Sequence, residues 1–316
     1  MATVPITGDG TNAPATGLGF SANDGVNWSD YLAYRPVYPA SFFNRIFDYH
    51  AQKPVAMWHT AHDVGAGCGV VSSTLATRFD NVVVSDPNEG YTTLARQILV
   101  EKASLPESKF TFLQEVAETS STDSRTVDLV TACECIQYTA TDTAIKEFGR
   151  QLKPGGTLAI TFYTRPVIDG NEQVQKACKA IWDAHADRNR AKLYSDAYQV
   201  GNSALEVLGF PEEEWETVKR IYINARGSTS PFMLNDRVGR GESQVKDAEE
   251  KIWVEDDEDW CDIHDIHWFK AYFATWAPSI PESDIQGLWD TLEHVLGGRQ
   301  VKTRTPVVMV LATRRA

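Results

Sequence analysis

The chain has 316 residues, 42% of them hydrophobic, nine tryptophans and a formal charge of −13, a length that suits one large domain with an elaborated cap. The acidic balance, without any Lys/Arg run, speaks against nucleic acid, because polyphosphate affinity comes from basic patches that release counterions. No apolar run approaches the ~20 residues of a membrane span, and the start lacks a signal peptide's basic and apolar stretches, so a cytoplasmic protein acting on a small molecule, as monomer or homodimer, is expected.

In chain order, residues 1–27 are rich in Gly, Thr, Ala and Pro and are expected to be a disordered leader. Residues 28–58 carry a short helix from Trp28 to Tyr34, broken by Pro36 and Pro39. A second helix follows, with Ser41 as its cap and Phe43, Ile46 and Phe47 on one stripe. From 59 to 165 strands alternate with helices. The strands are AHDV (61–64), NVVVSD (81–86), KFTFLQE (109–115), VDLVTACE (127–134) and TLAITFYT (157–164); helices fill 70–79, 90–103 and 141–152. Such alternation implies parallel strands with right-handed crossovers, an open doubly wound α/β sheet. Ligands in such sheets sit at the strands' carboxyl ends, near the switch point. Residues 166–213 read as helical, 215–224 as a sixth strand and 306–315 as a seventh. Between the last two, residues 225–304 read mostly as loop and helix, expected to cap the strand ends.

Cys68, Cys133, Cys135, Cys178 and Cys261 contain no CxxC pair, and Cys133-Glu-Cys135 has no second ligand cluster. No metal site is expected, and the cysteines read as reduced thiols.

In DVGAGCGVVS (63–72), Gly65, Gly67 and Gly69 form a G-x-G-x-G turn. Glycines there let the backbone take positive φ and approach a ligand closely. A dinucleotide fingerprint needs G-x-G-x-x-G, but the third place falls on Val70 or Ser72. The turn alone leaves nucleotide chemistry and a structural bend both open. Asp63, two residues upstream, can accept hydrogen bonds from loop N–H groups or from a cationic amino group, and is repulsive beside a pyrophosphate. Asp86, ending the second strand, stands where a carboxylate accepts from both ribose hydroxyls. Asn88 follows, near where an adenine would lie, and LKPGGTLAI sets a tight turn before the fifth strand.

On DVGAGCG, VVVSDPN, VAE (116–118), VDLVTACECIQY and LKPGGTLAI, the chain resembles the class I S-adenosylmethionine-dependent methyltransferases from about residue 28 to the end. NWSDYLAYRPVYP and WFKAYFATWAPS are similar to the subgroup of trans-aconitate methyltransferases and fungal natural-product enzymes. The resemblance implies S-adenosylmethionine as cofactor, S-adenosylhomocysteine as product, a Rossmann-like seven-stranded sheet with the last strand antiparallel, and an N-terminal lid over the cofactor. It also implies that Tyr31 and Arg35 approach the methionine carboxylate or the substrate. Gly65, Gly67, Gly69, Asp86 and Pro87 would hold the cofactor, Ala117 and Glu118 would edge its adenine, and Cys133 and Glu134 would sit beside its methionine part. Two places depart from the pattern: Val116 stands where the subgroup often has an acid, and Gln137-Tyr138 where it often reads His-Trp.

Methyl transfer needs alignment and exclusion of water above all. An alcohol acceptor also needs a base, whereas a carboxylate does not. The candidate bases are Glu134 and Tyr138, near the cofactor, and His264 and His267, whose i, i+3 spacing puts both on one helical face. Gln137, Tyr138, Arg165, Trp268 and Tyr272 are the substrate candidates. Arg165 is among them because a guanidinium grips carboxylates with a two-point fork; a surface salt bridge is its other reading. Trp268, Tyr272 and Trp276 form one stripe of a cap helix. O-methylation of a small metabolite, carboxylates included, is the leading expectation. A non-methylating use of the sulfonium charge and a nucleoside-binding regulatory protein are the alternatives.

Overall fold

The computed structural model describes residues 28–53, 56–88, 90–188, 192–276 and 279–316; the expected leader lies outside the described residues. The strands in the first half are β1 (Thr60–Val64), β2 (Asn81–Ser85), β3 (Phe110–Leu113), β4 (Val127–Cys133), β5 (Leu152–Tyr163) and β6 (Val167–Ile168). After them come β7 (Trp215–Ile223), β8 (Glu250–Val254), β9 (Cys261–His264), β10 (Val301–Arg304) and β11 (Val307–Arg314). The helices are α1 (Trp28–Tyr34), α2 (Ala40–Ala51), α3 (Val70–Leu75), α4 (Tyr91–Arg96), α5 (Thr141–Gln151), α6 (Glu172–Arg188), α7 (Lys192–Asn202), α8 (Ile266–Ala274) and α9 (Gln286–Leu296).

Eight strands form the central sheet in the order β3-β2-β1-β4-β5-β11-β7-β8. β3 to β5 run parallel. β11 inserts antiparallel between β5 and β7, and β8 lies parallel to β7. The reversed last strand is as expected; the count of seven is not. Residues 250–254 (EKIWV) pair along β7 from Lys219–Glu250 to Ile223–Val254. Ile252 and Val254 of this edge strand pack on one core and the exposed Trp253 stacks on Tyr222 of the other, but Glu250, Lys251 and Trp253 are exposed, and that charged, half-exposed pattern hides the strand in the sequence. The connection after β7 also supplies β9 and β10, which join β6 in a small antiparallel sheet.

The main sheet is covered on both faces, and β11 shows why. Its Val307, Met309 and Leu311 join one core with α2, α3 and α4, while Val308, Val310 and Ala312 join the other with α5 and α7. A strand of period two buried on both sides reads as an unbroken apolar run. A third cluster holds the cap together, with Trp182 of α6, Phe269 and Phe273 of α8, and Trp289 and Leu292 of α9. Helix α1 packs on α8.

One local expectation is corrected. Ser41 does not cap α2: the helix starts at Ala40 after an extended Pro39, with no side-chain cap. Ser41 thus falls on the second helical position, inside the turn whose free N–H groups a capping hydroxyl must reach from outside. Its Oγ is buried without a partner.

The chain builds from β1 outward to β2 and β3, then returns to β4 on the other side of β1. At that switch point the connections leave in opposite directions, and a crevice opens at the strand ends.

Candidate active site

A cavity of about 500 Å³ fills this crevice. Its floor begins at the glycine turn, where Gly65, Gly67 and Gly69 all take positive φ (63°, 54° and 85°). A Cβ on Gly65 would run into Cys135 Cβ, so the turn and the exit of β4 touch at a place only glycine fits. Gly65 and Gly67 line the cavity; Gly69 does not. It sits before α3 instead, where an added Cβ would meet Leu99 at 2.9 Å.

Asp63, buried at the end of β1, accepts from Ser72 Oγ at 2.6 Å and Thr131 Oγ1 at 2.9 Å. Burial pushes its carboxyl up to about 6, against the stabilising Ser72 and Thr131 contacts. It ties β1 to α3 and β4 as well as facing the cavity. Asp86 follows β2 with its carboxylate organised by the backbone: Oδ2 accepts from Gly67 N at 3.0 Å, and Oδ1 from Asn88 N at 2.9 Å and Asn88 Nδ2 at 3.0 Å. Burial raises its pKa and these donors lower it. Pro87, Asn88, Val116, Ala117 and Glu118 continue the same wall. Glu118 also accepts from Ala140 N at 2.7 Å, which ties that wall to the start of α5.

At the end of β4, Glu134 adopts φ 59°, a left-handed conformation that costs a non-glycine residue roughly 1–2 kcal/mol. Three bonds hold it there: its N–H donates to Thr161 O at 3.0 Å, its carbonyl accepts from Gln137 Nε2 at 3.1 Å, and its Oε1 accepts from Tyr163 N. Burial pushes the carboxyl up to about 8, opposed by the Tyr163 N–H and by Arg35. Cys133, Gln137 and Tyr138 line the cavity beside it. The thiols of Cys68, Cys133 and Cys135 are all raised by burial, which keeps them protonated.

The lid closes the opposite side. Arg35 donates from Nε to Thr275 Oγ1 at 2.9 Å and from Nη2 to Thr275 O at 3.1 Å. Its guanidinium carbon lies 5.1 Å from the Tyr31 ring centre and 5.6 Å from that of Tyr272. Tyr31, Arg35 and Tyr272 therefore form one aromatic-cationic wall between α1 and α8. Past β5, Arg165 reaches the cavity with 9% of its surface exposed.

Three sequence candidates lie elsewhere. His264 ends β9 rather than sharing a helix with His267, which is exposed on α8. The Asp265 side chain caps α8 by accepting from Trp268 N at 2.9 Å, so the helix begins between the two histidines and breaks their assumed face. Trp268 is sandwiched behind the wall, 3.4 Å from the His264 ring and 4.9 Å from that of Tyr272. None of the three lines the cavity. Conversely, Tyr38, Tyr91, Cys135, Phe162, Tyr163, Thr164, Ala197, Tyr198 and Leu234 line it without having been singled out. Tyr38 lay in the YRPVYP stretch and could have been read from it. Tyr198 and Leu234 reach the cavity only through the packing of the cap and carry no local signal. Among the described residues no cluster of His, Cys, Asp and Glu suits a metal ion, and no helix is long and apolar enough to cross a membrane.

What this geometry defines is an α/β protein of the doubly wound type, with its cavity at the switch point where such folds take their ligands. Comparison with known proteins narrows the class. Residues 62–160 match the methyltransferase domain family. The methyltransferase cfoB of Aspergillus candidus is 32% identical over 93% of this chain and 97% of its own length. The methyltransferase pgmE of Aspergillus terreus is 31% identical over 91% of this chain and 93% of its own. A solved structure, described as a type II methyltransferase from Anaeromyxobacter dehalogenans, shares the fold with a TM-score of 0.56 at 18% identity, covering 88% of this chain and 97% of that one. The chain belongs to the class I S-adenosylmethionine-dependent methyltransferases.

Proposed function

We propose that the protein transfers a methyl group from S-adenosylmethionine to a hydroxyl oxygen of a small metabolite in the cytoplasm. The observation that carries this reading is the order of side chains across the strand ends: Asp86 after β2, the glycine turn after β1, Glu134 after β4 and Arg165 after β5, all on one cavity. The residues suit the cofactor. A carboxylate offers about four acceptor sites, and Asp86 spends three, one of them on the Asn88 side chain. That amide can turn away and leave two sites for the ribose hydroxyls. Ala117 and Glu118 stand at the adenine end. Tyr31 and Arg35 stand at the amino-acid end, with Cys133 and Pro87 on the walls between. Two carboxyls on the turn side, Asp63 and Asp86, disfavour a diphosphate.

S-adenosylmethionine supplies a methyl group whose bond to sulfur breaks as its bond to the acceptor oxygen forms, leaving S-adenosylhomocysteine. Glu134 takes the hydroxyl proton on its carboxylate, the role of a general base. With Oε1 engaged by Tyr163 N, Oε2 is the accepting atom. A base at this place favours a hydroxyl acceptor over a carboxylate, which has no proton to give up. Gln137, Tyr138 and Tyr272 position the acceptor, and the lid excludes water. The five free cysteines suit a reducing compartment.

The test is transfer itself. The protein is incubated with methyl-labelled S-adenosylmethionine and a metabolite extract, and small-molecule products are counted. Label in a low-mass product that survives mild base, as an ether does and an ester does not, is the expected result. Cofactor binding with no label moved would mean a non-methylating use of the same site.

A further inference from the structure

Arg165 is the least compensated charge around the cavity. Its Nη1 is buried without a hydrogen-bond partner, and it has no salt bridge among the described residues. Its guanidinium carbon lies over the Trp182 ring, 4.5 Å from the ring centre, a cation–π contact. The acids that act on it, Asp183 and Asp236, are both bound by Lys179, at 2.8 and 3.4 Å. A guanidinium cannot shed its proton in a protein, so burial here leaves a positive charge that only an anion can balance. Two more buried orphans belong to residues lining the same cavity: Thr164 Oγ1, on the adjacent residue, and Gln137 Oε1, on the turn that carries Glu134. All three residues line the cavity.

Position separates this cluster from the nucleoside. Arg165 follows β5, whereas the glycine turn follows β1, two strands away, or roughly 10 Å at the usual strand spacing. Asp86 is a further strand removed. Arg165 and Thr164 therefore border the cavity beyond β4, with Gln137 between them and the nucleoside, and Phe162, Tyr198, Leu234 and Tyr272 give the cavity an apolar and mostly aromatic lining.

We infer that the methyl acceptor is a hydroxylated aromatic carboxylic acid, its carboxylate on Arg165 and Thr164 and its hydroxyl toward Gln137 and Glu134. This rests on the methyltransferase reading and deepens it. A carboxylate takes the two-point fork of Arg165 and the Thr164 hydroxyl. The single O–H of the acceptor hydroxyl points at the Glu134 carboxylate, and the Gln137 carbonyl oxygen, an acceptor with no donor, shares that proton as a second acceptor. That hydroxyl is then beside the Glu134 carboxylate that removes its proton. The flat lining accommodates an aryl ring.

The experiment compares salicylate with salicylamide, which keeps the ring and hydroxyl but not the charge, by calorimetry on the full chain saturated with S-adenosylhomocysteine. Salicylate is expected to bind at least tenfold more tightly. Arg165→Met should abolish that preference while leaving S-adenosylhomocysteine affinity within about twofold, which also shows that the variant is folded. Arg165→Lys, retaining the charge, should keep part of the preference. Equal binding of the two probes to the unmodified protein overturns the anion site, as does a preference that survives Arg165→Met. Loss of S-adenosylhomocysteine binding in both variants overturns it too, by placing Arg165 on the cofactor. Failure of the unmodified protein to bind S-adenosylhomocysteine is a separate result that sinks the methyltransferase reading itself.

Discussion

At the scale of single residues, the site turns on carboxyl groups held in different surroundings. Burial raises Asp86, but the Asn88 and Gly67 donors pull it back down, whereas Glu134, also desolvated, is pushed up to about 8. A group that must be ionised to accept a proton loses function as the pH falls below its pKa. The kcat/KM for a hydroxyl acceptor should therefore rise about tenfold per pH unit up to about pH 8 and then level off. Glu134→Gln should remove that limb and lower the rate by roughly 10²–10⁴. A pH–rate profile of both proteins checks this, and an unchanged limb in Glu134→Gln would assign the titration to another group. The strained φ of Glu134 could not be read from ACECIQY, since nothing local distinguishes it; the strain is maintained by Thr161 and Tyr163 on the neighbouring strand.

At the scale of elements, the turn between β1 and α3 shows why neighbouring glycines are not equivalent. A methyl group on Gly65 runs into Cys135, whereas one on Gly67 meets nothing within 4 Å. Both positions have positive φ. Gly65→Ala should thus lose about 1–3 kcal/mol of stability from overpacking on top of a backbone cost of roughly 1–2 kcal/mol. Gly67→Ala should bear only the latter, and lose ligand binding because its methyl group enters the cavity. Urea unfolding of the two variants, with their S-adenosylhomocysteine affinities, separates these effects; equal unfolding midpoints would contradict the contact with Cys135. Elements whose pattern is local were legible: the apolar runs of β2, β4 and β11, the glycine turn and the acid that ends the second strand. Edge strand β8 was not, because three of its five residues are exposed. The histidine pair failed for a related reason. A spacing of three implies a shared face only within one helix, and the Asp265 cap starts α8 between them. Arg165 was legible as a candidate from its place after the fifth strand, but its lack of a partner is a fact of tertiary packing.

At the scale of the whole molecule, methyl transfer requires the switch point to hold one nucleoside and one acceptor side by side. The reversed β11 and the strands beyond it extend the sheet past β5, and the cap of α6, α8 and α9 is built over its own aromatic core. The lid is pinned to that cap through Arg35 and Thr275. Residues of the glycine turn, the lid and the cap therefore line a single cavity, and which nucleoside enters it decides everything downstream. The most direct test is a calorimetric titration of the protein, and of Asp86→Asn, with S-adenosylhomocysteine and with NAD. S-adenosylhomocysteine is expected to bind and NAD is not, and Asp86→Asn should weaken binding by about 1.5–3 kcal/mol, the worth of a charge-assisted hydrogen bond. Binding of NAD alone, or an affinity for S-adenosylhomocysteine indifferent to Asp86, would contradict the methyltransferase reading.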